Sequence, residues 1–302
     1  MATLREIRRR IASVVKTGEI TAAMKTVSAI QVRNAEAALL RMRPYASSLA
    51  EIIARLAACD VRDAHPLLAD RGDKRAVVVV VTSDRGLCGP FNANVIRRAE
   101  AYQAEHFARY GTSAEMVCVG KKGYDYFRKR GFKILDAHVG FFRGISYADA
   151  QLISRKVTRA FLVSDVDRVD FHYHYFFSTG RQVVQVRPVL PIRLCDMTLP
   201  GALGPTAADI PAREGAGDYL FEPDRAHVLG ELLPLYVNVQ VWRILQESLS
   251  SEHGARMMAM EAATSNCHDL TGSLRLTYNK ARQAAITKEL TEVVSAAEGA
   301  RS

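Results

Sequence analysis

Four stretches carry residue types from which chemistry is built. Ser83-Asp-Arg-Gly-Leu-Cys-Gly89 follows an apolar run at the place where a doubly wound fold holds a ligand. Its text is neither G-x-G-x-x-G nor G-x-x-x-x-G-K-[ST], and Asp84 would repel phosphate, so a tight turn rigidified by its two glycines is the better reading. Asp84 with Cys88 suggests a nucleophile, yet a thiol needs a cationic or His partner to react, and only Arg85 is near in sequence. No catalysis is expected there. His172 and His174 alternate with Phe171, Tyr173 and Tyr175, which puts both imidazoles on one strand face. No Cys or carboxylate cluster completes a metal shell, so they read as the polar face of an edge strand. Lys121-Lys122 and Arg128-Lys129-Arg130 flank Tyr124, Tyr126 and Phe127, a mixture that single-stranded nucleic acid would accept. Solvation and the helix dipole explain charges at the ends of a short helix equally simply. The fourth stretch is divided: Met24-Lys25 near one end of the chain, and Arg282-Gln283 with Thr287-Lys288-Glu289 near the other. Polar groups near the tip of a helix pair suit a surface docked inside a collar, and an ordinary solvated face equally well.

Long helices must position the fourth stretch. From Leu4 to about Leu56 apolar residues fall at helical spacing: Leu4, Ile7, Ile11 and Val14, then Ile20, Met24 and Val27, then Ala35, Ala38, Met42, Leu49 and Ile52. The stripe is narrow, as in a coiled-coil seam. From Pro223 to about Ala297 a second pattern runs through Leu229, Leu233, Val237, Val241, Ile244, Met258, Leu270, Leu274, Ala281, Leu290 and Val294. Such a helix needs a partner, because propensity alone does not hold it. The N-terminal helix, packed antiparallel, is the expected one. Pro44 and Pro234 are expected to kink or step the two helices.

Between them an alternating pattern predicts strands at 74–82, 114–119 and 134–139 and helices at 91–107, 121–130 and 147–163. A closing hairpin, 170–177 with 182–192, turns at Thr179-Gly180. The expected fold class is α/β: a long antiparallel two-helix coiled coil formed by the N- and C-terminal segments, with an inserted doubly wound α/β domain. The divisions are 1–60 for the first helix, 74–192 for the Rossmann-like domain, 193–221 for a Gly/Pro/Ala-rich linker and 222–298 for the second helix.

The 302 residues carry a net charge of +9, distributed unevenly: +6 over 1–55 and −2 over 222–302. A basic N-terminal segment suits nucleic acid, an anionic lipid surface or an acidic protein partner. No apolar run reaches eighteen residues, so no membrane crossing is expected. The charged N-terminus lacks a signal-peptide core. Cys59, Cys88, Cys118, Cys195 and Cys267 are odd in number and dispersed, which suits free thiols in a reducing compartment.

The text also resembles a known family. Leu4-Arg-Glu-Ile-Arg-Arg-Arg-Ile11 and Ile20-Thr-Ala-Ala-Met-Lys-Thr-Val27 are similar to the opening of ATP synthase gamma subunits. Ser83–Gly89 resembles that family's turn after the first strand, and Ala259–Thr264 and Tyr278–Val294 resemble its C-terminal helix. The resemblance implies a central-stalk rotor within an alpha3-beta3 hexamer, its foot on an epsilon subunit and a membrane c-ring. By position, Met24, Lys25, Arg282, Gln283, Thr287 and Glu289 are its implied contacts with beta subunits. It implies no catalytic residue, cofactor or metal in this chain, no nucleic acid, and a peripheral place on the cytoplasmic face of a bacterial inner membrane. Thr26 and Gln31 depart from the family pattern. The cysteine pair of light-regulated plastid forms is not recognised, so thiol regulation is not expected. Two other readings compete: a small-molecule enzyme using the α/β domain, and a nucleic-acid-binding coiled coil.

Overall fold

The computed structural model describes residues 3–57, 65–140, 144–163, 166–193 and 222–299. The expected linker 193–221 lies outside them except for Arg193. Two helices bracket the chain: α1, Leu4–Ala57, and a C-terminal helix of 75 residues, Arg225–Gly299. Both are continuous, with Pro44 and Pro234 inside them. Between them come a 3-10 turn (Pro66–Leu68), β1 (Ala76–Val81), α2 (Phe91–Tyr110), β2 (Glu115–Val119), α3 (Lys121–Lys129), β3 (Ile134–His138), α4 (Tyr147–Val163), β4 (Arg168–Ser178) and β5 (Arg181–Leu190). The C-terminal helix is therefore α5. The chain divides into two compact units, one of residues 1–28 and 257–302 and one of residues 29–256.

In the larger unit the five strands lie in the order β3-β2-β1-β4-β5, parallel except for the antiparallel pair β4–β5. Strand β1 is five valines after Ala76, and its alternation serves two cores. Val77, Val79 and Val81 join Ile53 of α1, Ile153 and Phe161 of α4, and Leu233, Val237 and Ile244 of α5. Ala76, Val78 and Val80 join Val95 and Ala99 of α2 and Phe127 of α3. A strand buried on both faces reads as an unbroken apolar run, which is why β1 was legible.

Burial alone would leave the β1–β2 contact free to slide; one glycine fixes its end. At Gly120, φ is +96° and an added Cβ would stand 1.9 Å from the Thr82 carbonyl oxygen. The space is needed because the Thr82 N–H donates to the Val119 carbonyl at 2.8 Å, while the Thr82 hydroxyl accepts from the Gly123 N–H at 2.9 Å. Strand β1 is thereby tied to the first turn of α3.

Candidate functional site

The smaller unit is a helix pair. In the part of α1 that belongs to this unit the less exposed positions include Leu4, Ile7, Ile11, Val14, Gly18, Thr21, Lys25 and Ser28, in alternating steps of three and four. In α5 they include Met260, Thr264, Cys267, Thr271, Leu274, Tyr278, Ala281 and Ala285, with the same alternation. A strict seven-residue period is the mark of a coiled-coil seam. The helices run antiparallel: the Thr21 and Thr264 hydroxyls lie 2.7 Å apart and Lys25 Nζ donates to Glu261 Oε1 at 2.7 Å. At Gly18 an added Cβ would meet the Cys267 Cβ at 3.3 Å, so the backbones approach closely there.

This corrects the apolar stripe expected from sequence. Ile20 and Val27 were assigned to the seam, and both point outward, 61% and 58% exposed. Small and hydroxyl-bearing Gly18, Thr21 and Ser28 hold the seam instead. Leu270, Leu290 and Val294 of α5, also assigned to one packed face, are exposed, while Met260, Thr271 and Leu274 are buried.

The six expected contact residues fall at two levels. Met24 and Lys25 are half-buried beside Glu261, within the pair. Arg282, Gln283, Thr287 and Glu289 are all exposed, and the Thr287 hydroxyl donates back to the Gln283 carbonyl at 3.0 Å. Each step up α1 matches a step down α5, a register that brings Leu4 level with about Ala281. Residues beyond it on α5 have no described α1 residue beside them. At ~1.5 Å per residue the two levels lie about 30 Å apart, so they form two surfaces and not one. Beyond Ala281 an apolar patch lies bare: Leu290 and Val294, expected on the packed face, together with Ile286 and Val293. The length mismatch between the two helical patterns was the available signal.

The Lys25–Glu261 pair is half-exposed, which makes it a weak stabiliser. Lys25→Glu would set two carboxylates together at this level. In the rotor assembly that the resemblance implies, ATP-driven ion pumping by the variant is expected to fall, and Glu261→Lys in the same chain to restore it. Pumping at the unsubstituted rate in Lys25→Glu would contradict a role for this charge.

The Ser83–Gly89 turn sits at the end of β1, and Asp84 fills the place a phosphate would take. Its Oδ1 accepts from the Lys121 N–H at the start of α3 at 2.9 Å and from the Gly140 N–H at 3.0 Å. Asn92 holds the turn from below: its Nδ2 donates to Ser83 Oγ at 2.7 Å and to Cys88 Sγ at 3.2 Å, and its Oδ1 accepts from the Ser83 N–H at 2.9 Å. Burial pushes the Cys88 thiol above its usual pKa, the opposite of an activated nucleophile. The turn expected to be rigidified by its two glycines uses a third residue as well. Gly89 has φ +56°, but the other left-handed residue is Leu87, at φ +63° and 62% exposed. From above, Arg256 Nη2 of α5 donates to the Gly86 carbonyl at 3.3 Å and to Glu252 Oε1 at 2.6 Å.

The histidine strand was also misplaced. Strand β4 is interior, between β1 and β5, and the order of strands leaves no local trace in sequence. His172 is 0% exposed with neither ring nitrogen hydrogen-bonded, edge-on to Tyr102 at 5.1 Å; His174 stacks on Phe91 at 4.2 Å. Among the described residues no group of three His, Cys, Asp or Glu side chains is placed to hold a metal ion. Burial, with Arg98 adding to it, lowers the His172 pKa to about 3, and burial lowers that of His174 to about 4. Both fold as neutral rings. The unfolded chain takes up their protons first as pH falls below about 6.5, so their contribution to stability is intact above that value. It is lost progressively as pH falls, down to about 4 for His174 and about 3 for His172. His172→Leu is expected to flatten the dependence of the thermal midpoint on pH between 6.5 and 4. An unchanged slope would contradict the assignment.

On α3 the aromatic faces that nucleic-acid stacking would need are covered from within. Arg130 lies 3.8 Å from the Tyr126 ring centroid and Arg128 5.1 Å from that of Tyr124, while the Tyr126 hydroxyl donates to Glu100 at 2.9 Å.

Comparison with known proteins agrees with this geometry. Residues 3–299 match the ATP synthase family. The chain is 45% identical over 302 residues to the ATP synthase gamma chain of Anaeromyxobacter sp. (strain Fw109-5), covering 99% of each. It is 41% identical over 298 residues to that of Geotalea daltonii, again covering 99% of each. Among solved structures, a chain of the Euglena gracilis mitochondrial ATP synthase OSCP/F1/c-ring assembly matches with TM-score 0.67 and 20% identity, covering 98% of this chain and 94% of that one. A chain of the Tetrahymena thermophila mitochondrial ATP synthase central stalk and c-ring matches with TM-score 0.59 and 22% identity, covering 81% and 99%. At those identities the structural matches establish the fold, and the curated relatives establish the lineage. This chain belongs to the ATP synthase gamma-chain family.

Proposed function

We propose that the helix pair turns as the central shaft within an alpha3-beta3 hexamer, carrying torque between a c-ring and the beta subunits. One observation supports this reading above the others. A two-helix coil buries its seam and leaves the outside polar, yet here both helices also carry apolar side chains outward: Ile20 and Val27 on α1, Leu276, Leu290 and Val293 on α5. Outward apolar side chains on both helices of a thin element call for a covering partner. Ile, Val and Leu side chains form no directional bonds, so a collar gripping them meets low barriers as the coil turns.

In this reading Met24 and Lys25 engage the hexamer at one level, and Arg282, Gln283, Thr287 and Glu289 at a second, about 30 Å further along α5. The α/β body carries the foot, where an epsilon subunit and the c-ring attach. In this reading the reacting groups belong to the partners: Asp84 accepts from the Lys121 and Gly140 amides, and burial raises the pKa of the Cys88 thiol. No described helix is long and apolar enough to cross a membrane, in keeping with a peripheral place on the cytoplasmic face through the c-ring. Co-purification tests the reading. Tagged chain is expected to bring down alpha and beta subunits in equal number together with epsilon. A clean monomer recovered beside an intact hexamer would overturn it.

A further inference from the structure

Helix α4 of the larger unit buries one face and leaves a second, equally regular one open. Ile153, Val157 and Phe161 enter the core that β1 shares with α1 and α5. On the opposite side Ala148, Leu152, Arg155, Arg159 and Leu162 are exposed, spaced by four, three, four and three. That seven-residue period is the one by which a helix receives another helix. The stripe is about 20 Å long. Its order is apolar, basic, apolar. Leu152 is 46% exposed and Leu162 42%, with Val163 beside it at 69%, and the two arginines stand between. Arg155 and Arg159 are four residues apart, a like-charge spacing that destabilises a helix unless an anion answers it. Among the described residues neither makes an ion pair, whereas Lys156 on the flank is bound by Asp136 of β3. Arg98 of α2 and Arg130 of α3 are likewise answered, by Glu105 and Glu100.

We infer that the outer face of α4 receives a helix of a partner protein, acidic at the middle of its contact face and apolar at both ends. Carboxylates at the centre would meet Arg155 and Arg159 in the forked geometry that a guanidinium favours, while leucine-like side chains cover Leu152 and Leu162. A second copy of this chain fits poorly, because two such faces set arginine against arginine. An anionic lipid surface fits poorly as well. A helix lying in a membrane keeps its charges on the polar face, and here they interrupt the apolar stripe. The inference is independent of the rotor reading, because every residue in it belongs to one compact unit.

A helical peptide with leucines at both ends of one face and glutamates between them, titrated against the full chain by fluorescence anisotropy, tests it. The control peptide carries lysines in place of the glutamates. The acidic peptide is expected to bind saturably, and the lysine peptide at least about tenfold more weakly. Arg155→Glu combined with Arg159→Glu should reverse that order, with the thermal midpoint held because both positions are exposed. Lys129→Glu, exposed on α3, should leave both affinities nearly unchanged, which separates this face from the general positive charge of the chain. No saturable binding of the acidic peptide, equal affinity for the two peptides, or undiminished binding in the double variant would overturn the inference. Dimerisation of the chain that Leu152→Asp abolishes would overturn it in favour of a second copy. Binding to phosphatidylglycerol vesicles that the double variant loses, without binding of the acidic peptide, would overturn it in favour of a lipid surface.

Discussion

Gly120→Ala is expected to prevent this chain from folding to a soluble form, whereas Gly111→Ala should cost only about 1 kcal/mol. Both glycines have positive φ, +96° and +69°, so the backbone penalty is shared. They differ in what a methyl group meets. At Gly111, which caps the C-terminus of α2, nothing lies within 4 Å. At Gly120 the methyl would stand 1.9 Å from the Thr82 carbonyl oxygen and 2.6 Å from its carbon, which are backbone atoms and cannot swing aside. Relief requires β1 to part from β2 where Thr82 bonds Val119, and the Thr82–Gly123 bond goes with it. That places the loss above ~4 kcal/mol, among the largest that single substitutions produce. Soluble yield and thermal melting of the two variants decide the matter. Comparable midpoints would show that the close approach is not what holds this end of the sheet.

The second large effect concerns surface residues, where stability should hardly change. Ile20→Asp, Val27→Asp and Leu290→Asp replace outward-facing apolar groups that touch no core. Each is expected to shift the isolated chain's stability by less than about 0.5 kcal/mol, as surface substitutions do. In the assembly proposed above, the same changes place a carboxylate where an enclosing partner would cover apolar side chains. Desolvating an unpaired charge costs several kcal/mol, so assembly or coupled ATP synthesis should fall at least about a hundredfold in the combined variant. A triple variant that assembles and couples normally would remove the main support for an enclosing partner. One that melts early would return these residues to the coil interior.

Much of this was readable from residue pattern, and the failures have specific causes. The valine run of β1 and the span of α4 from Tyr147 to Val163 follow from periodicity and length, and the structure has them there. The seam between Gly18 and Ser28 was misread because apolarity guided the eye. There the family of buried positions passes through Gly18, Thr21 and Ser28, and following the three-four alternation from Leu4 regardless of polarity would have found it. His172 and His174 were placed on an edge strand because strand order is a long-range property: β4 pairs with β1, more than ninety residues earlier in the chain. Leu87 takes a left-handed conformation that bulky residues rarely adopt, with Gly86 beside it as the natural candidate. The bonds of Asp84 to the Lys121 and Gly140 amides join segments 37 and 56 residues away, a separation that residue type alone does not reveal.

The most direct measurement is rotation itself. A rod-shaped probe attached through Lys129→Cys, exposed on α3, would be observed in an alpha3-beta3 assembly fixed to a surface by its hexamer. With ATP supplied, the account predicts continuous turning in one direction, stopping when ATP is exhausted. Steady ATP hydrolysis with the probe fixed, or swinging without direction, would contradict it.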